Sequence, residues 1–458
     1  MILKKTDEKL NASTQLIENK NIGKTTALTD GHNNLFHHHY SSIQIFYFIS
    51  LVMAAIGLRA SGRAIEISVN IFGINMSIPS WYSGRLWLMR LGYYKLNRAK
   101  IKADDWIWII DHSVQIGAEK CLVILGIRLS DLPVGRSLKY EDVEPIEVVP
   151  VTKSNGAIVY EQLNAAVEKT GIPAEIIADK GSDIKSGIDR FCAEHQETRY
   201  IYDIKHALAI LLKAILEKCE VWESFIKLCK STKQCLQQTE LAYLSPPSQK
   251  SKSRYMNIET LVDWGNNIII FLEKENPSEK ILEKLGWINM YKFAITRWSS
   301  MICAISCTEN FVRNNGIYSN CHFDLKKSLE ELALPDSADE FIQKIILHVE
   351  KESSFAKPME RLLGSSEIIE SIFGKQKNIE KQQSKNGFTG LILSIAAFTS
   401  KTTINVIKTA MESVKTKTVI EWHKNNIGKS VQAKRISAFR FSRKMEQKVS
   451  QELILSTG

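Results

Sequence analysis

The sequence predicts an α/β protein in which a small helical domain precedes one mixed sheet and a long all-helical block follows it. Short apolar runs of strand length occur between residues 106 and 202, where they alternate with stretches of helical periodicity. Residues 205–363 have helical periodicity without a series of strands. The 458 residues include 23 glycines and 10 prolines, which is too few for a turn-rich all-β protein.

The N-terminal part divides into a polar tail and a helical domain. We expect residues 1–40 to form a mobile tail and residues 41–102 to form three short helices. The apolar run 43–58 is sixteen residues long, whereas a membrane span usually needs about 20, so a buried helix is favoured and a membrane span is the alternative. The last helix is basic and aromatic. With Arg85 and Arg90, it indicates a helix-turn-helix module whose final helix enters the major groove of DNA.

Basic residues are concentrated in two segments, although the formal net charge of the chain is only +10. Residues 59–102 contain eight lysines and arginines against one acid, and residues 425–458 contain seven against two acids. Such local positive charge indicates a polyanionic partner, with a solubilising surface as the alternative. In the second segment Lys434, Arg435 and Arg440 are candidates for contacts with DNA phosphates.

The central segment predicts a sheet flanked by helices. Its first two strands read as a hairpin, and its later strands are separated by helices of about four turns. The order β-β-β-α-β-α-β predicts a mixed sheet. The predicted elements are strands 106–111, 121–128 and 146–151, a helix over 155–170, a strand over 174–178, a helix over 182–194 and a strand over 199–202.

Two aspartates follow apolar strands directly: Asp111 comes after WIWII and Asp179 after EIIA. The C-terminal edge of a sheet is where α/β proteins place their chemistry, although a lone aspartate there is also a common turn residue. Glu367 and Glu370, on a helix expected to begin near Ser365, are candidates for a third carboxylate. Carboxylates suit Mg²⁺ or Mn²⁺, and two such ions can promote phosphoryl transfer.

This order of elements resembles the ribonuclease-H-like fold. A long helical insertion ahead of a glutamate helix resembles the DDE transposases of bacterial insertion sequences. The segment ESIFGKQK, with Glu370 and Lys377, is similar to the end of the tyrosine-arginine-glutamate-lysine signature of some of these enzymes. It departs from that signature at Leu363 and Ser366, which stand where tyrosine and arginine are expected.

Two further segments carry the resemblance. AITRWSSM, with Arg297 and Trp298, resembles the TRW stretch in the insertion domain of hobo-Activator-Tam3 elements. DIKHALA, with Asp203 and His206, is similar to an aspartate-x-x-histidine feature after the fifth strand. The resemblance implies a catalytic domain in two parts, residues 103–204 and 364–400, separated by an insertion domain over 205–363 and followed by a basic helical region over 401–458.

The resemblance also implies roles for individual residues. Asp111, Asp179 and Glu370 would be catalytic and would hold two Mg²⁺ or Mn²⁺ ions, with Glu367 as the alternate ligand. The other implied roles are a phosphate contact for Lys377, base stacking for Trp298 (alternatively a core residue), a phosphate contact for Arg297, and an auxiliary or structural place for Asp203 and His206, alternatively as a helix cap.

The implied activity is metal-dependent hydrolysis of a phosphodiester at the ends of an insertion-sequence element, followed by strand transfer. Its partners would be double-stranded DNA, as element ends and target, and a second copy of the chain in a dimer or larger assembly, with no membrane. The eight thinly spread cysteines and the lack of a signal peptide fit a cytoplasmic, nucleoid-associated protein. Alternatives are a ribonuclease-H-like nuclease without strand transfer and a domesticated, non-catalytic DNA-binding protein.

Overall fold

The structure is a computed structural model that describes residues 35, 38–74, 76–114, 119–248, 258–275, 277–382, 389–428, 434–443 and 445. Most of the tail predicted over residues 1–40 lies outside these residues. The first described helices are α1 (Ser42–Met53), α2 (Leu58–Phe72) and α3 (Trp81–Asn97).

Helix α1 is the apolar run that the sequence assigns to a buried helix. It begins at Ser41, whose hydroxyl accepts a hydrogen bond from the Gln44 backbone while the Gln44 side chain accepts one from the Ser41 backbone. Ile45, Phe48 and Ile49 are fully buried against the neighbouring helices. No helix in the described ranges combines the length and apolar character needed to cross a membrane.

The middle of helix α3 is internal, contrary to the expected recognition helix. Trp87, Leu88 and Leu91 are buried, and a Cβ added at Gly92 would lie 1.9 Å from the carbonyl oxygen of Leu393. A helix so closely covered cannot lie in the major groove of DNA along its length. The sequence pattern of a basic, aromatic helix did not distinguish a central helix from a surface one.

Five strands form one sheet in the order β3-β2-β1-β4-β5. Strands β1, β2 and β3 are antiparallel, whereas β4 and β5 run parallel to β1. The predicted fold class is therefore confirmed: this is the ribonuclease-H-like strand order, with helical crossovers before β4 and before β5. The elements are β1 (Trp106–Val114), β2 (Lys120–Arg128), β3 (Glu144–Val151), α4 (Gly156–Thr170), β4 (Glu175–Ala178), α5 (Ser182–Glu194) and β5 (Arg199–Tyr202).

The alternation of β1 sends its side chains to two different cores. Trp106, Trp108 and Ile110 pack under α4 and α5, whereas Ile107 and Ile109 join the core that also contains α1, α3 and the helices after residue 366. Residue 111 has the parity of Ile107 and Ile109, so its side chain belongs to the second face.

The predicted all-helical block is an insertion between β5 and the last part of the sheet domain. It has its own hydrophobic core, separate from the two cores of the sheet. No series of strands is expected in this block, but it contains two strands of two residues each, which pair as a ribbon. The elements are α6 (Ile204–Leu216), α7 (Glu220–Leu236), α8 (Ile258–Lys274), α9 (Glu279–Leu285), α10 (Lys292–Asn315), β6 (Ile317–Tyr318), α11 (Cys321–Glu330), α12 (Asp339–Ser353) and β7 (Arg361–Leu362).

The chain after the insertion returns to the sheet as α13 (Glu367–Lys381), α14 (Ser394–Phe398), α15 (Ile404–Ser413) and α16 (Thr416–Asn426). These helices share the second core with α1 and α3. Lys95 of α3 is buried at this junction, where its ammonium donates to the carbonyls of Ala397 and Ser400, each at 3.0 Å, and to the Thr402 hydroxyl at 2.8 Å. The N-terminal helices and the C-terminal part are therefore packed as one body with the sheet.

Candidate active site

Asp111 and Asp179 lie side by side at the edge of the sheet. Ile110 of β1 pairs with Ala178 of β4 in parallel register, so each aspartate is the next residue after a paired position. Both have the parity of the second face, because Ile109 and Ile177 belong to that core. The end of β1 differs from the prediction: the strand continues past Asp111 to Val114, because β2 still pairs with it there.

Glu370 reaches the same edge from helix α13, which packs across β1. Its charge acts on Asp111, together with that of Asp179. Burial and, after it, the charges of Asp179 and Glu370 raise the pKa of Asp111 to about 7, against a hydrogen bond from the His112 backbone that lowers it. The three acids singled out in the sequence are therefore neighbours in the structure.

The carboxylate of Glu370 is held by two basic side chains from the first turn of α6. The Lys205 ammonium donates to Oε2 at 2.7 Å, and Nε2 of His206 lies 3.4 Å from Oε1. The contact with His206 and then the ammonium of Lys205 lower the pKa of Glu370 to about 2, so this carboxylate stays ionised. The same contact with Glu370 raises the pKa of His206, and the charges of Asp203 and Asp179 add to it.

Two of the three acids have the ligand chemistry that a divalent cation requires. Asp111 and Asp179 offer hard oxygen ligands, and a cation between them would offset the repulsion that helps raise the pKa of Asp111. Among the residues that the structure describes, no three His, Cys, Asp or Glu side chains are grouped closely enough to hold a metal ion.

Asp203 ties the helix that opens the insertion to the helix that carries Glu370. Its carboxylate is 1% exposed and accepts from the backbone of His206 at 3.0 Å. The other oxygen accepts from the backbone and the hydroxyl of Ser366, at 2.7 and 2.8 Å. Asp203 thus caps α6, as the sequence alternative allows. Ser366 occupies the N-cap position of α13, but its hydroxyl donates to Asp203 and does not cap the helix.

Glu367, the alternate third ligand, points elsewhere. Its Oε2 accepts from Nη1 of Arg313 on α10 at 2.7 Å. It lines a cavity of about 640 Å³ together with Tyr140 and Lys375. The structure therefore favours Glu370 over Glu367 as the acid beside Asp111.

Trp298 belongs to the core of the insertion and does not face the acids. It is 3% exposed, and its ring packs edge-on to that of Trp222 with centroids 4.7 Å apart. Arg297, the residue before Trp298, also lies on α10. It is separated from Glu309, twelve residues later on the same helix, by about 18 Å along the helix axis. The expected stacking of Trp298 on a DNA base is wrong for this structure, because both the periodicity and the buried aromatic neighbours make it a core residue.

The candidate DNA contacts divide into buried and exposed groups. Arg90 is 6% exposed and donates to the backbone carbonyls of Met411 and Val414, so its expected role in DNA binding is replaced by a structural one. Arg85 is half-buried, and its charge acts on Glu380 and His423. The remaining candidates are accessible: Lys377 is half-buried on α13, and Lys434, Arg435 and Arg440 are exposed on the helical residues 434–443.

Sequence reasoning missed Lys205 as a member of the site. It lies between Asp203 and His206 in the DIKHALA segment, and the comparison with an aspartate-x-x-histidine feature considers only those two residues. Because α6 begins at residue 204, residues 205 and 206 lie in its first turn, next to Asp203, which caps the helix and also binds the start of α13. Asp183 lies in the first turn of α5 and pairs with Lys120 at 2.6 Å.

Comparison with known proteins finds remote similarities among solved structures. No protein-family model matches the chain, and no curated protein does. Among solved structures, the chain is similar to one described as "Drosophila P element transposase strand transfer complex". The two share 10% sequence identity and a TM-score of 0.41, over 87% of this chain and 99% of that chain.

Proposed function

We propose that this chain is a DNA transposase of the insertion-sequence type, which hydrolyses a phosphodiester at the element ends and transfers the freed strand to target DNA. One observation supports the proposal above the others. Two aspartates follow a parallel strand pair side by side, and a glutamate on a crossing helix acts on the same point of a ribonuclease-H-like sheet. This convergence of acids from residues 111, 179 and 370 is the arrangement that metal-dependent phosphoryl transfer on DNA requires.

In this proposal Asp111, Asp179 and Glu370 hold two Mg²⁺ or Mn²⁺ ions. When bound, such ions activate the attacking oxygen and stabilise the leaving oxygen of an in-line displacement. The protein residues position the DNA strand and neutralise charge, which is most of what phosphoryl transfer requires. No covalent protein intermediate is needed, so the site requires no serine or tyrosine nucleophile.

Half-buried and exposed cations would bind the DNA. Lys377 lies seven residues after Glu370 on α13, which places it on the same helix face about 10 Å farther along. Lys434, Arg435 and Arg440 are exposed on one short helical stretch, where they can contact phosphates without reading sequence. Two element ends must be joined, so we expect a dimer or larger assembly acting on nucleoid DNA in the cytoplasm.

The test uses DNA that flanks the coding region and carries short inverted repeats. Purified full-length protein is incubated with labelled end DNA, a plasmid target and Mg²⁺ or Mn²⁺, and nicking and joining are measured separately. We expect both products from the native chain and neither from Asp111→Asn, Asp179→Asn or Glu370→Gln. Asp189→Asn is the matched control, because Asp189 makes only an exposed ion pair with Lys185 on α5.

The outcomes separate the competing functions. Nicking without joining of a pre-cut end would indicate a ribonuclease-H-like nuclease. A non-catalytic DNA-binding protein is the second candidate, and it is favoured by the ion pairs that hold Glu370 away from a ready-made carboxylate group. It predicts DNA binding by the native chain with no cleavage, and binding that Asp111→Asn leaves unchanged.

A further inference from the structure

Lys205 lies between two carboxylates that belong to different parts of the molecule. On one side its ammonium donates to Glu370 of α13 at 2.7 Å. On the other side Lys205 and Glu309 of α10 line the same cavity, of about 150 Å³, together with Leu212, Ile302 and other residues of the insertion. Because Lys205 lines this cavity together with Glu309, its side chain has space to move within it.

Glu309 is a suitable second partner for the ammonium. Burial raises the pKa of Glu309 to about 7, and the charge of Lys205 is the largest influence that lowers it. For Lys205, burial lowers the pKa, but the contact with Glu370 and the charges of Glu370, Glu309 and Glu367 raise it overall. The lysine is therefore positively charged and is attracted by both carboxylates.

A divalent cation at Glu370 would compete electrostatically with the lysine. The ammonium occupies Oε2 at hydrogen-bond distance, and a divalent cation bound by the same carboxylate would repel it. The absence of a ready three-acid group among the described residues agrees with this competition.

We propose that Lys205 is an exchangeable cation, which neutralises Glu370 before metal binding and moves to Glu309 when a divalent cation is bound by Asp111, Asp179 and Glu370. The inference rests on the proposed metal-binding function. Its consequence is that metal binding at the sheet also tightens the contact between α6 and α10, because the ammonium then joins Glu309. Lys205 is thus a positioning residue that links the insertion to the site.

The test is a double-mutant cycle on the affinity for Mn²⁺. Mn²⁺ is titrated into full-length protein without DNA at pH 8, and the dissociation constant is measured by calorimetry. Lys205→Met removes the competing cation, so we expect the affinity to increase about fivefold or more. Glu309→Gln removes the second partner and leaves Lys205 on Glu370, so we expect the affinity to fall by about fivefold or more.

The cycle distinguishes exchange from general electrostatics. If Lys205 moves to Glu309, then Glu309→Gln in the Lys205→Met background changes the affinity by less than about twofold. An equal effect of Glu309→Gln in both backgrounds overturns the inference. Weaker Mn²⁺ binding by Lys205→Met also overturns it, because it would show that Lys205 supports Glu370 in its metal-binding position.

Controls separate this result from misfolding and from failure of the proposed function. Lys185→Met removes an exposed lysine of α5 and should leave the Mn²⁺ affinity unchanged. Thermal unfolding checks that each variant folds, and Lys205→Gln replaces Lys205→Met if the latter does not. If the native chain and Asp111→Asn bind Mn²⁺ alike, the metal site itself is refuted, and the exchange with it. If only the cycle is additive, the exchange fails and the metal site stands.

Discussion

Replacing Asp203 by asparagine tests how the glutamate helix is held to the sheet. The buried carboxylate accepts three hydrogen bonds, one from the backbone of His206 and two from Ser366. Asparagine has the same size but offers one acceptor and one donor group. Whichever way its amide turns, its NH₂ group must face at least one N–H or O–H donor, and that donor loses its partner.

The cost follows from these contacts. A hydrogen bond to a charged group contributes about 1.5–3 kcal/mol, and the bonds that survive in Asp203→Asn become neutral and weaker. We therefore expect Asp203→Asn to lower the free energy of unfolding by about 3 kcal/mol. This value includes the opposing gain that the neutral variant no longer buries a charge. For a chain of 458 residues that unfolds as one unit, this lowers the melting temperature by about 3 °C.

Differential scanning calorimetry of the full-length protein measures this shift. Asp189→Asn is the control, because it removes only an exposed pair with Lys185, which typically contributes less than about 1 kcal/mol. If Asp203→Asn melts within the error of the native chain, Asp203 does not connect α6 to α13 in the way the hydrogen bonds indicate. A shift equal to that of the control would lead to the same conclusion.

Three further variants test other assignments. Trp298→Ala should lower the free energy of unfolding by about 3–5 kcal/mol, because it leaves a cavity at a buried aromatic site. It should leave the affinity for duplex DNA unchanged in a fluorescence titration. A large loss of affinity at normal stability would support the stacking role instead. Arg90→Met should lower the melting temperature, because two buried carbonyls lose their donor, and it should leave the salt dependence of DNA binding unchanged. Burial raises the pKa of Glu175 to about 8, so the native chain loses stability as the pH rises from about 4.5 to 8. Glu175→Gln should therefore be more stable than the native chain at pH 9, by about a few kcal/mol at most, and should show no gain at pH 5. An equal difference in stability at both pH values would contradict this.

The sheet was predictable because its strands are short apolar runs between clear helix boundaries. The predictions for residues 182–194 and 199–202 agree with α5 and β5 to the residue, because glycine, serine and aspartate mark the ends. The strand ending expected at Asp111 differs because a hairpin partner extends β1 beyond its apolar run. Alternation then explains why Asp111 and Asp179 lie on the same face.

Burial by distant elements could not be predicted from local pattern. Arg90 looks like an exposed cation in the sequence, but the two carbonyls that accept from it follow more than 300 residues later, in α15 and just after it. Trp298 lies in a motif that resembles a DNA contact, and its aromatic neighbours Trp222 and Phe225 come from α7. Lys205 was missed because its partners, Glu370 and Glu309, lie on two helices that the sequence does not place side by side.

The most direct measurement of the central claim is the anomalous scattering of manganese in crystals of the full-length protein grown with Mn²⁺. The account predicts two peaks about 4 Å apart that are coordinated by Asp111, Asp179 and Glu370. It also predicts that the ammonium of Lys205 is no longer on Glu370. Saturating Mn²⁺ with no peak within coordination distance of Asp111 and Asp179 would contradict it.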